Sequence, residues 1–392
     1  MGTSARTALV GLPNVGKSTL LNAAAENKAA AQTGNFPFCT IEPNTARVIV
    51  PDHRLHILQR MYKTESETPS IVPATLEIMD VAGLVQNAAS GEGLGNKFLA
   101  DIRGCDAIIH VVRLFEDPDV IHVDENVAVD GVDPAKDAEI VNAELALADL
   151  EALERRHVKL KAGKVKTPNA AVEREAVEKL IAGIVEDGKA ARAIELSDEE
   201  MAAVAASQIN LLSMKPMIYA ANVSEDEFLA PSSRLEALEA VAAKDNAPVI
   251  RVSAEMEAEI IDLPSDERLE FLTGGDEELM ANLSIAGSDA SGSAGSGALI
   301  NEVQTSLGLR TFLTAGENEV RAWQFVDGEN AAQCAGRIHT DMEKGFIKAE
   351  VLKYEDLMKA ESVAAARSKN FLSIHGREYP MMDGDICLFR FR

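Results

Sequence analysis

The sequence predicts an α/β protein: a mostly parallel sheet flanked by helices, interrupted by an inserted pair of long helices and followed by a separate small module. Three observations predict it. The apolar run Thr7 to Val10 leads into Gly11-Leu12-Pro13-Asn14-Val15-Gly16-Lys17-Ser18-Thr19 and then into helix formers up to Ala25. The apolar run Thr75 to Met79 ends in Asp80-Val81-Ala82-Gly83. Further strand-like runs at Ala107 to Val112, Pro216 to Ala221 and Val249 to Val252 alternate with helical stretches, the pattern of a parallel sheet.

The first stretch fits G-x-x-x-x-G-K-[ST], a phosphate-binding loop. Its glycines let backbone N–H groups turn inward around a polyphosphate. The Lys17 ammonium reaches the terminal phosphates, and the Ser18 hydroxyl is placed to ligate Mg²⁺. The helix that follows offers its partial positive end to the same phosphates. Asn14, Val15, Gly16, Lys17, Ser18 and Thr19 are therefore the expected nucleotide contacts. A glycine-rich turn without a ligand is the alternative; the strand before and the helix after supply the context the motif needs.

With 392 residues the chain has room for two or three domains. Aromatic residues make up only 4% of it, so the core should be mostly Ala, Leu, Ile and Val. A formal net charge of −25 argues against broad electrostatic binding to nucleic acid, and no sequence-specific DNA binding is expected. Cys39, Cys105, Cys334 and Cys387 are scattered, with no C-x-x-C pair, as in a reduced intracellular protein without structural zinc. No apolar run approaches the roughly 18 residues of a membrane span, and the N-terminus lacks a signal-peptide core. The expectation is a soluble, cytoplasmic protein with no membrane partner.

Past the first helix, Asn35 to Asn44 holds two prolines and two phenylalanines and reads as a structured loop. Thr40 stands where nucleotide switches place a second Mg²⁺-ligating hydroxyl; a turn hydroxyl capping its own backbone is the alternative. Asp80 to Gly83 is a D-x-x-G arrangement, in which Asp80 supports Mg²⁺ and the Gly83 N–H senses the γ-phosphate. Gly91 to Asn96 is too rich in glycine to hold an element by itself and suits a switch loop.

The strand Ala107 to Val112 runs towards Ile121-His122-Val123, after which Pro134 to His157 turns helical. Ile140, Ala143, Leu147 and Leu150 repeat at helical spacing; Val177, Leu180, Ile181 and Ile184 form a matching stripe beyond the break at Gly163 to Pro168. Two such stripes read as an antiparallel helical hairpin. Its tip carries Arg155, Arg156, Lys159, Lys161, Lys164 and Lys166, with no acid between them. This is either a solvated helix end favoured by the dipole or a contact for an RNA backbone.

Asn222-Val223-Ser224-Glu225 follows the strand at Pro216 to Ala221, and Ser253 follows Val249 to Val252; open α/β sheets bind ligands at such strand ends. Gly287 to Gly297 is almost purely Gly, Ser and Ala and reads as a flexible linker. Beyond it, short strand-like runs at Thr311 to Leu313, Val320 to Val326, Phe346 to Val351 and Ile386 to Phe391 form a module with 12 Lys/Arg against 13 Asp/Glu from Ser306 onward. It lacks a catalytic cluster and reads as a docking module.

Taken together, GLPNVGKST, NFPFCTIEPNT, DVAGLV with GEGLGNKF, ANVSE, and the C-terminal TAGENEVRAW and HTDMEKGFI give a chain that resembles the YchF-type, Obg-like P-loop ATPases over nearly its whole length. The resemblance implies a G domain (1–128 and 207–282), an inserted coiled-coil domain (129–206), a linker region (283–303) and a C-terminal TGS domain of β-grasp fold (304–392). It implies a slow, ribosome-associated ATPase acting as a switch, with the large subunit met through the basic tip and the TGS domain.

Two residues bear on that expectation. Guanine-reading N-K-x-D is replaced here by Asn222-Val223-Ser224-Glu225, which loses the lysine that packs over the base and lengthens the carboxylate that meets the guanine amine. Mispairing a buried polar group costs about 1–3 kcal/mol, enough to erase guanine preference. Asn222, Val223, Glu225 and Ser253 are thus expected to meet adenine, with ATP and ADP as ligands. The residue after D-x-x-G is Leu84, which cannot orient an attacking water; the resemblance assigns that role to His122. Asn14 is either a K⁺ ligand beside the phosphates or a brace of its own loop. Two rival readings remain: a guanine-specific GTPase of the Obg group, and a non-hydrolysing nucleotide sensor.

Overall fold

The computed structural model describes residues 5–25, 44–64, 66–81, 94–117, 131–230, 232–261, 263, 265–273 and 293–392. In chain order these form β1 (Arg6–Val10), α1 (Lys17–Ala25), β2 (Thr45–Ile49), α2 (His53–Tyr62), β3 (Ser70–Val72), β4 (Thr75–Asp80), α3 (Leu94–Arg103) and β5 (Ala107–Arg113). Next come α4 (Pro134–Lys161), α5 (Ala170–Val185), α6 (Asp198–Ala206), β6 (Met217–Asn222), α7 (Glu225–Leu229), α8 (Ser233–Lys244), β7 (Val249–Val252), α9 (Ala254–Ile260) and α10 (Ser265–Thr273). The C-terminal part holds α11 (Ser296–Ser306), β8 (Leu309–Ala315), β9 (Glu319–Val326), α12 (Ala331–Ile338), α13 (Thr340–Lys344), β10 (Phe346–Lys353), α14 (Tyr354–Ala360), α15 (Val363–Ser368), β11 (Ser373–His375) and β12 (Asp385–Phe391). Thr40, Gly83 and His122 lie outside the described residues, as do residues 283–292 of the expected linker region and the run Ile121 to Val123.

The chain groups into two compact units: Arg6–Leu21 with Ile78–Ala258, and Met1–Ala5 with Asn22–Glu77 and Glu259–Arg392. In the first, β1, β5, β6 and β7 are successive parallel neighbours, in register at Thr7/Ala107, Ile108/Met217 and Tyr219/Val249. The end of β4 lies beside β1, with the Val81 N–H donating to the Leu9 carbonyl. Burial on both faces explains why β5 and β6 are mostly apolar, with every position buried, His110, Arg113 and Asn222 included.

The helical insertion springs from this sheet. Asp133 caps α4 by accepting from the Lys136 N–H, and Pro134 occupies its first turn, where a missing N–H costs nothing. Leu153 and Leu160 of α4 pack on Ala176, Val177, Leu180 and Ile184 of α5, as the second stripe predicts. The first stripe is displaced. Ala143 is exposed and Leu147 is 53% exposed, while Val141, Leu145 and Ala148 are buried. In so Ala- and Leu-rich a helix two adjacent stripes satisfy the helical period. The buried one looked polar because it includes Glu144 and Asp149.

Across the tip, Arg156 makes a fork with Glu173 (2.5 and 3.0 Å), and His157 meets Glu178 at 2.8 Å. Arg155 pairs with Glu151 on the exposed face. The expected patch of six cations therefore reduces to four exposed lysines, Lys159, Lys161, Lys164 and Lys166.

In the second unit the sheet order is β11-β10-β12-β8-β9-β3. β8 and β9 form an antiparallel hairpin, β12 returns parallel to β8, and β10 pairs antiparallel with β12; α12 crosses between β9 and β10. That is the arrangement of a β-grasp fold. Phe312, Phe325, Val351 and Phe389 fill its core with Ala331, Cys334 and Ala335 of α12.

Two expectations are corrected here. The linker region does not extend to 303: Ser296–Ser306 is a helix whose Leu299, Ile300 and Val303 are buried, and small residues at its start fit because Ser296 and Gly297 are buried too. The glycine-dense segment is also shorter than expected, since α3 already begins at Leu94. Among the described residues no helix is long and apolar enough to cross a membrane.

Candidate functional site

The loop between β1 and α1 is shaped by two glycines. Gly11 (φ +150) lies so close to β5 that a Cβ would run into the Val111 carbonyl. Gly16 (φ +94) adopts a conformation that favours glycine, and its missing Cβ leaves room for the Asn222 side-chain amide. Lys17 is 8% exposed, and its ammonium donates to the carbonyls of Gly11 (3.1 Å) and Leu12 (2.7 Å). Burial pulls its pKa down to about 8, and the Asp80 carboxylate opposes the shift.

Ser18 and Asp80 meet. The Ser18 hydroxyl donates to Asp80 Oδ2 at 2.7 Å, across 62 positions of sequence. A hydroxyl and a carboxylate side by side are the hard oxygen ligands that Mg²⁺ takes, with phosphates and waters supplying the rest. The donor set fits the ion that P-loop NTPases generally use. Thr19 and Asn14 are exposed, Asn14 with φ +60, and Val15 is buried.

At the end of β6 the structure gives Asn222 a role that the motif reading omits. Its amide donates to the Val15 carbonyl (2.9 Å), and its carbonyl accepts from the Ala254 N–H (3.0 Å). Asn222 thus ties the phosphate loop to the turn after β7. Val223 is buried, while Glu225 is exposed at the first position of α7, whose cap is the Ser224 hydroxyl accepting from the Glu227 N–H. Glu225, Asp226 and Glu227 together favour the positive end of that helix. Ser253 is fully buried, and its hydroxyl accepts from the Met256 N–H at the start of α9.

His110 is not a candidate base. It is 1% exposed, its ring lies 5.1 Å from that of Tyr219, and burial, with Arg192 and Lys17 nearby, lowers its pKa to about 3.

The sequence reading missed a polar cluster that joins α4 to β6 and to the end of α8. The Tyr219 hydroxyl donates to Asp245 Oδ2 (2.8 Å), Asn142 of α4 donates to both, and Arg192 donates to Asp245 and to the Ser213 carbonyl. Asp149 of α4 accepts from the N–H groups of Leu212 and Ser213 and from the Ser213 hydroxyl. The cluster anchors α4 to β6. Its only signal in the sequence is a polar residue recurring on the inner side of an otherwise apolar helix.

Comparison with known proteins reaches both ends of the chain. A family described as 50S ribosome-binding GTPase matches residues 6–144, and the YchF GTPase C-terminal family, described as a protein of unknown function, matches residues 309–392. The chain is 44% identical over 386 residues to the ribosome-binding ATPase YchF of Bacillus subtilis, covering 98% of each. It is 39% identical over 396 residues to Obg-like ATPase 1 of Gallus gallus, covering 100% of this chain and 93% of that one. The chain belongs to the YchF family of Obg-like ATPases. A YchF GTPase of Schizosaccharomyces pombe has the same fold, with a TM-score of 0.79 at 31% identity over 100% of this chain and 98% of that one. A GTP-binding protein from Pyrococcus horikoshii OT3 shares the fold at 21% identity and a TM-score of 0.54, covering 99% of this chain and 100% of that one. The phosphate loop is accordingly the nucleotide-binding end of a YchF-type P-loop domain. The names of these YchF relatives divide between ATPase and GTPase.

Proposed function

We propose that the protein binds ATP in preference to GTP, hydrolyses it slowly, and acts on the ribosome as a nucleotide-dependent switch. The observation that carries the preference is the end of β6. Asn222 is committed to bracing Val15 and Ala254, Val223 is buried in place of a lysine over the base, and the carboxylate at position 225 stands one methylene longer at the start of a helix. Such an edge lacks the short acceptor that guanine requires, whereas adenine has no second amine to satisfy.

In this reading Gly11 to Lys17 hold the phosphates, and Ser18, Asp80 and Thr40 hold Mg²⁺, which neutralises charge between the β- and γ-phosphates when bound. Gly83 senses the γ-phosphate. His122 positions or deprotonates the attacking water; burial of His110 leaves it no rival of that kind among the described histidines of the sheet. K⁺ held near Asn14 belongs to the same proposal, and equal turnover in KCl and NaCl would remove it. Ribosome binding is carried over from the names of the relatives, and the four exposed lysines of the α4–α5 tip are the surface that suits an RNA backbone.

Calorimetric titration with ADP and GDP in Mg²⁺ and K⁺ tests the preference. ADP should bind more tightly, and Glu225→Asp with Val223→Lys should narrow the gap. Equal or tighter GDP binding would assign the protein as a GTPase of the same fold.

A further inference from the structure

In sequence, residues 44–81 lie between Thr40, the expected second Mg²⁺ ligand, and Gly83, the residue expected to sense the γ-phosphate. Most of this stretch folds with the C-terminal β-grasp. β3 adds to the β-grasp sheet as an edge strand parallel to β9, in register at Ser70/Glu319, Ile71/Val320 and Val72/Arg321. Ser70 donates twice to the Asn318 carbonyl, through its N–H (2.9 Å) and its hydroxyl (3.2 Å).

A second junction lies at Arg54 in the first turn of α2. Its guanidinium takes both oxygens of Asp52 (2.8 Å each) and Asp383 Oδ2 at 2.7 Å. The other oxygen of Asp383 accepts from the Thr311 N–H of β8 at 2.8 Å. Gly384 (φ +78) follows, and a Cβ there would press on Arg54. The side chain of Arg54 is only 16% exposed, and the two carboxylates hold its pKa well above the ordinary value against burial. A planar fork satisfied on three sides fixes orientation as well as distance. Asp52 itself follows β2 by three positions and caps α2. β4 starts three positions after β3 and ends at Asp80, which receives the Ser18 hydroxyl.

We propose that this inter-switch segment is the mechanical link between nucleotide state and the C-terminal module. A displacement of β2 or β4 on filling of the Ser18–Asp80 site is carried into the β-grasp through Arg54–Asp383 and β3–β9, which hold the segment and the module as one body. The proposal rests on the nucleotide-switch reading above, but not on which base is bound.

Trp323, the only tryptophan of the chain, reports on it. It sits on β9, stacked on Phe312, under the Arg321 guanidinium (4.1 Å from its ring centroid), with its indole N–H donating to the Thr314 hydroxyl. The experiment is a titration of the full chain with the diphosphate and with a non-hydrolysable triphosphate in Mg²⁺. Trp323 emission and hydrogen exchange in β8, β9 and β12 are followed, and affinity is measured separately by calorimetry. The wild type should show a difference between the two nucleotides. Arg54→Ala and Asp383→Asn should bind nucleotide as before and lose that difference. If Arg54→Ala fails to fold by circular dichroism, Asp383→Asn decides, since it keeps the shape and the Thr311 acceptor while removing the charge. A wild type whose Trp323 ignores the nucleotide overturns the link, and so does a folded Asp383→Asn that keeps the full response. Preference for GDP over ADP would correct the base assignment and leave the link intact, the titration then being run with guanine nucleotides.

Discussion

The Asn222 side chain holds the Val15 carbonyl at 2.9 Å while accepting from the Ala254 N–H, so one residue at the end of β6 connects the phosphate loop to the turn after β7. Asn222→Ala would leave a buried acceptor and a buried donor unpaired, at about 1–3 kcal/mol each. Nucleotide affinity should fall at least tenfold, as seen by calorimetry, and the melting temperature should fall with it. Gly16→Ala should impair binding in the same way, because a Cβ there overlaps the amide. Unchanged affinity in both variants would mean that the brace is dispensable.

The Ser18–Asp80 pair makes a different prediction. Ser18→Ala and Asp80→Asn should each abolish the gain in nucleotide affinity on adding Mg²⁺ and leave binding in EDTA close to that of the wild type. Ser18 is exposed and Asp80 half-buried, so neither change should cost much stability. A variant that retains the full Mg²⁺ response does not ligate the ion through that residue.

Lys17 should give the nucleotide-free protein a pH signature. Its folded pKa, about 8, lies below the ordinary 10.5 because burial disfavours the charge. Between those values the unfolded chain holds the proton and the folded chain does not, so the Lys17 contribution to stability rises with pH across that window and is flat below it. Phosphates restore the charge, so nucleotide binding at the lower edge of the window should take up a proton. Urea melts of wild type and Lys17→Met across the window, and binding heats in buffers of different ionisation enthalpy, measure the two effects. Parallel melts and buffer-independent heats would refute them.

At the hairpin tip, structure and binding separate by residue. Arg156→Ala strands Glu173, whose side chain is 3% exposed, and should cost about 1–3 kcal/mol with faster hydrogen exchange in α4 and α5. Replacing Lys159, Lys161, Lys164 and Lys166 by Ala should change stability by no more than about 0.5 kcal/mol for each substitution. That variant should bind ribosomes more weakly, with a shallower dependence on salt, in a pelleting assay. Wild-type salt dependence after all four changes would exclude the tip as an RNA contact.

What was legible in the sequence was local. The turn from Gly11 to Ser18 and the strand ending in Asp80 are contiguous patterns, in which a few neighbouring residues fix dihedrals and ligands. These alone determined the α/β class, the phosphate loop and the strand that brings Asp80 to Ser18. The alternation of strands and helices added the parallel sheet. Helical periodicity located α4 and α5 but could not choose between two adjacent stripes of α4, because Ala and Leu populate both and the buried face holds Asp149, paid for by donors from Leu212 and Ser213.

The tertiary structure decided whatever depends on residues far apart in the chain. Asn222 reaches Val15 across 207 positions only because β1, β5 and β6 are neighbours in the sheet. Arg54 reaches Asp383 across 329 positions, and β3, a strand of three residues, has no register of its own until β9 offers one. Short-range preference sets backbone shape within a few residues. Which surfaces and polar groups find each other is set by the packing of the whole, and that is where the brace on the phosphate loop and the junction to the C-terminal module arise.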